Sequence, residues 1–238
     1  MTPTLVDHLL AGLLVLVVPW LAVFDYRCLR RALDAGQEDA RTRAYRRTTL
    51  IQWCVAAFAV GFWLWSGRPL STLGLGLEVS RGTWIGLALT LAACGFLVAQ
   101  VVMVRQQPEA RAAVRAQLEP LRPLLPHTPG EGRWFHRLSV TAGICEEVAY
   151  RGFLMAYFGG LGVVAAILLS TLAFGLSHTY MGRTAALRAG LVGFVVAGLY
   201  WLTGSLWASM LLHATADVTS GLMARASLAS GPSPAAAS

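Results

Sequence analysis

Three short patterns in the C-terminal half of the chain combine side chains able to activate water against a carbonyl. Glu146-Glu147-Val-Ala-Tyr-Arg151 sets two carboxylates beside a guanidinium. Phe174-Gly-Leu-Ser-His178 puts an aromatic ring one helical turn from an imidazole, and His213-Ala-Thr-Ala-Asp217 puts an imidazole one turn from a carboxylate. Helix positions four apart share a face, so Glu147 meets Arg151 and Asp217 can orient His213. Glu146 points about 100° away, toward a different neighbour. Each pattern alone also fits a structural role: a buried ion pair, a histidine snorkelling to an interface, a helix-stabilising His–Asp pair. Together, a glutamate, two histidines and an aspartate form a set that activates water against a carbonyl, with or without a metal.

The elements carrying these residues are membrane helices. Of the 238 residues, 56% are hydrophobic and 13% charged, and the mean hydropathy is +0.58. A soluble domain carries about 25% charged residues, so too little polar surface remains to face water. A bilayer-spanning helix needs about 20 apolar residues. Seven stretches qualify, at 5–24, 48–66, 82–104, 137–157, 161–178, 189–203 and 205–224. The expected fold is therefore all-α and polytopic, with a four-helix catalytic core in the C-terminal half. Asp7 and His8 stand where a signal peptide would be positively charged, so the first stretch reads as a span.

All 19 basic residues are arginine. Seven fall in 25–47, six in 105–137, two in 179–188, and Arg225 follows the last span. The alternate loop at 67–81 holds only Arg68 and Arg81, and Arg151 lies inside a span. Basic loops stay cytoplasmic, which predicts an outside N-terminus and a cytoplasmic C-terminus. Topology then accounts for the net charge of +7, and nucleic-acid binding drops out. The all-arginine bias and small size suggest a bacterial inner-membrane protein.

Ionisable groups inside spans cost about 2.5–3.5 kcal/mol each and are functional candidates by default. The first three spans have essentially none in their interiors; the last four hold Glu146, Glu147, Arg151, His178, His213 and Asp217. The expected organisation is a three-span scaffold at 1–104, a cytoplasmic amphipathic linker at 105–136, a four-span core bearing the site at 137–226 and a disordered tail at 227–238. Within the linker, prolines 108, 120, 123 and 126 bracket a short helix with arginines on its polar face, suited to lie on the membrane surface. Together with the interfacial Trp134 it is a candidate gate for lateral entry. Cys28, Cys54, Cys94 and Cys145 have no zinc-ligand spacing and read as apolar filler. No repeat of 20–50 residues is visible.

Other intramembrane hydrolase signatures are missing: no H-E-x-x-H, no G-x-G-D, and no serine in a G-x-S-G turn. Cys145, a thiol within a helix, is ordinarily inert. The three patterns in order, Glu-Glu-x-x-x-Arg, Phe-x-x-x-His and His-x-x-x-Asp, resemble the CAAX protease and bacteriocin-processing family of intramembrane proteases. That family includes the type II CAAX prenyl endopeptidases and bacterial Abi proteins. The resemblance spans about 137–225.

The resemblance implies that Glu146 is the general base polarising a water, and that His178 and His213 line the site, holding that water or a metal. Asp217 stands where many relatives have an asparagine that stabilises the oxyanion; orienting His213 is the simpler role for an aspartate. Glu147, Arg151 and Phe174 become support. Zinc is an open possibility, with Glu146, His178 and His213 as its ligands. The implied substrate is a membrane-embedded or lipid-anchored protein or peptide, cut near its C-terminus at a site open to the cytoplasm. Two rivals are a non-enzymatic scaffold or immunity-type protein of the same fold, and a proton-relay transporter. The transporter would need broken helices paired between two related halves, whereas this chain has one apolar and one polar half.

Overall fold

The computed structural model describes residues 2–76 and 79–228, and these are helical with no strand. Helix α1 runs over Leu5–Asp34, α2 over Ala40–Trp65 and α3 over Arg81–Gln106. The short α4, Pro108–Leu118, follows. Helix α5 begins as Pro129–Glu146, becomes π-helical through Glu147–Leu154 and ends in Met155–Phe158. The last three are α6 (Val163–Ser177), α7 (Arg183–Thr203) and α8 (Leu206–Leu228).

Four of these helices, α1, α2, α3 and α7, are long and apolar enough to cross a membrane. Only 17% of the most apolar window in each of α1, α2 and α3 is buried inside the protein. Large side chains such as Trp20, Phe58, Phe96 and Leu191 instead face outward. Apolar surface of that extent, on helices long enough to span a bilayer, suits lipid rather than water. The chain is a membrane protein.

Several boundaries differ from the sequence-based spans. The arginine-rich stretch at 25–47 is not a loop, since α1 continues to Asp34 and α2 starts at Ala40. Arginine is a good helix former, so these helices run on past their apolar segments. The 179–188 loop shrinks in the same way to a turn at Thr179–Met181 and Gly182. Helix α5 starts at Pro129 because Thr128 and Glu131 form a reciprocal capping box, with proline in the first turn. Ser227 and Leu228, expected in a disordered tail, close α8; residues 229–238 lie outside the described residues. In α1 a π-helical turn, Leu13–Val17, directly precedes the proline-bearing segment. Pro19 cannot donate to the preceding turn, and the widened turn absorbs that loss.

The core surrounds the π-helical part of α5, every residue of which is buried. Packed on it are Leu10 and Leu14 of α1, Ala59 and Trp63 of α2, Phe174 of α6 and Met210 of α8. At one end Asp7, fully buried, takes both Arg68 guanidinium nitrogens at 2.7 Å. At the other, Arg41 and Tyr45 of α2 bond the carbonyls of Pro123 and Leu124. The apolar first three helices thus wrap the polar C-terminal ones. Helix α4 has no buried residue and lies against α3 and α8.

Candidate active site

The polar residues of α5, α6 and α8 converge in one cluster. Glu147 and Arg151, both fully buried, pair at 2.8 Å. The other terminal nitrogen of Arg151 donates to the Gly193 carbonyl of α7 at 2.9 Å. The guanidinium carbon lies 4.2 Å from the centre of the Phe174 ring, a favourable cation–π geometry. A lone carboxylate at this depth would be costly; the arginine offsets that cost.

The carboxylate oxygen of Glu147 that binds Arg151 also meets His213 Nδ1, at 2.7 Å. That oxygen already accepts from Arg151, so Nδ1 is the donor toward it. That fixes the tautomer and aims Nε2 the other way. Nε2 faces two carboxylates, Glu146 Oε2 and Asp217 Oδ2, each at 3.8 Å. The expectation that Asp217 orients His213 is therefore corrected: 3.8 Å is too long for a hydrogen bond, and Glu147 holds the ring from its opposite side. The π-helical turn helps make this possible. Its wider winding alters the α-helical offset expected after Glu146, and π-bulges recur at functional sites.

Glu146 has its two oxygens in different surroundings. Oε1 accepts from Gln52 Nε2 of α2 at 2.7 Å. Oε2 has no hydrogen-bond partner among the described residues. His178 lies on the other flank of Phe174, ring centres 4.5 Å apart, and its Nδ1 bonds the Phe174 carbonyl at 2.8 Å. Phe174 in turn presents its edge to His213 at 5.7 Å. One aromatic ring thus touches Arg151 and both imidazoles.

Two glycines permit these approaches. A β-carbon on Gly193 would lie 2.7 Å from Arg151 Nη2 and 2.8 Å from Phe174 Cδ1. One on Gly143 would lie 2.6 Å from the Ala214 backbone nitrogen, so glycine there lets α5 and α8 close up beside His213. Among the described residues no group of three His, Cys, Asp or Glu side chains is placed to hold a metal ion. His213 Nδ1 is committed to Glu147 and His178 Nδ1 to a carbonyl. The Glu146, His178 and His213 set considered for zinc is not gathered into such a group, while its Nδ1 bonds are of the kind that orient metal-ligating imidazoles.

Residues 131–219 match the family model described as type II CAAX prenyl endopeptidase Rce1-like. The match makes this segment similar to that family and leaves the N-terminal half of the chain outside it. No curated protein and no solved structure matches the chain. The Rce1-like segment contains Glu146, Glu147, Arg151, Phe174, His178, Gly193, His213 and Asp217, so the whole cluster on α5 to α8 lies within it. It is a protease family, which agrees with the chemistry of the cluster. Gln52 stands outside the Rce1-like segment. Sequence reasoning passed over it, although it is the lone amide side chain in an otherwise apolar stretch of α2. Gly193 had no signal at all, being one of several glycines in an apolar helix.

Proposed function

We propose that this protein is an intramembrane endopeptidase that hydrolyses a peptide bond near the C-terminus of a membrane-embedded or lipid-anchored substrate. The observation that carries the reading is the state of Glu146. One oxygen is held by Gln52, and the other is unbonded and faces His213 Nε2 at 3.8 Å. That separation suits a water bonded to both groups.

Glu146 Oε2 takes a proton from this water as its oxygen attacks the substrate carbonyl carbon. The carbonyl π pair moves onto oxygen, forming a tetrahedral oxyanion. Glu146 then returns the proton to the leaving nitrogen as the C–N bond breaks. His213, locked by Glu147, orients the water through Nε2. Asp217 stands at the rim, its side chain 42% exposed, where it reaches the substrate carbonyl; when protonated it donates to the oxyanion. His178 lines the opposite wall.

The chain crosses the membrane seven times in this reading. The arginine-rich ends of α1, α2 and α8 face the cytoplasm of a bacterial cell, and so does the mouth of the site. Helices α1 to α3 form the scaffold unit, residues 107–128 with α4 the surface-lying linker, and α5 to α8 the protease core. Partners are the bilayer and the protein or peptide substrate, with no nucleic acid.

The test compares the C-termini of membrane proteins in cells carrying the wild-type chain or Glu146→Gln. A set of shortened termini should vanish in the variant while its expression and topology stay unchanged. Identical termini in both strains would sink the proposal.

A further inference from the structure

Helix α2 lies outside the segment that carries the family's residues, yet it reaches the centre of the site. Gln52 Nε2 donates to Glu146 Oε1 at 2.7 Å. Helix α2 is pinned against α5 on both sides of this contact. Trp53 donates to Thr141 Oγ1 at 3.2 Å, Tyr45 packs edge-on against Phe135, and Trp63 packs edge-on against Phe153. The amide of Gln52 is thus delivered by a clamped helix rather than by a free side chain.

We propose that Gln52 is a positioning residue for the water-activating carboxylate, and that the N-terminal helices therefore complete the active site. The proposal rests on the assignment of Glu146 as base. A charge-assisted hydrogen bond to one carboxylate oxygen fixes the carboxyl rotation and leaves the other oxygen aimed at His213. Without it the carboxyl group rotates, and the productive geometry with His213 Nε2 is occupied less often. The effect falls on turnover rather than on substrate binding, because Gln52 contacts the base and not the substrate.

Two variants separate this role from packing. Gln52→Met keeps the volume and removes the donor; Gln52→Ala removes both. In detergent-solubilised full-length protein, the Glu146 carboxyl band is the infrared band lost in Glu146→Gln. That band should shift in both Gln52 variants. The C-termini that depend on Glu146 should form about 10- to 100-fold more slowly, the range expected for losing a hydrogen bond to a charged group. Once a cleaved substrate is purified, kcat should carry the loss, with KM little changed. An unshifted band overturns the proposal, as does wild-type cleavage by Gln52→Met. Slow cleavage by Gln52→Ala alone would assign Gln52 to packing. If Glu146→Gln itself still cleaves, the parent assignment fails, and the infrared result still reports the hydrogen bond separately.

Discussion

His213 donates from Nδ1 to Glu147 Oε1 at 2.7 Å, and this bond links two helices 66 residues apart in sequence. The same oxygen receives Arg151 at 2.8 Å. Glu147 is therefore the junction between the ion pair that makes buried charge tolerable and the imidazole that faces Glu146.

Removing that junction strands a fully buried arginine. Glu147→Ala is expected to destabilise the protein by about 3–5 kcal/mol. Glu147→Gln keeps an acceptor for both partners and should lose less. Thermal unfolding in detergent ranks the three proteins, and equal melting points would contradict the assigned role.

Asp217 should behave in the opposite way. It makes no direct hydrogen bond to His213 and is partly exposed, so Asp217→Ala and Asp217→Asn should both stay within about 0.5 kcal/mol of wild type. Cleavage should separate them. The alanine variant loses about 100-fold, the scale of one oxyanion donor, while the asparagine variant, with its amide N–H, keeps most activity. Equal loss in both would remove Asp217 from the oxyanion role.

Gly193 has no room for a methyl group between Arg151 and Phe174. Gly193→Ala should cost about 1–3 kcal/mol, typical of overpacking, and should also lower cleavage by displacing the ring between the two histidines. Unchanged stability in thermal unfolding would show that α7 can move aside without loss.

The candidate residues were readable along the chain because charge is expensive in lipid. Glu146, Glu147, Arg151, His178, His213 and Asp217 stood out against an apolar background, and helical spacing paired Glu147 with Arg151 correctly. The helical class and the membrane setting followed from the same scarcity of charge. Helix ends were less legible. Arginine continues a helix as well as it ends an apolar run, so α1 outlasted its span by a full segment.

What the sequence determined by itself is the list of reactive groups and the helices that bear them. Which group touches which was decided by tertiary structure. His213 could have turned to Asp217, four residues away on its own helix, but the Gly143 contact draws α5 up against α8 and brings Glu147 within 2.7 Å instead. Gln52 met Glu146 only because α2 packs along α5. Local spacing sets possibilities along one helix; close approach of backbones, allowed by small residues, chooses among partners on different helices.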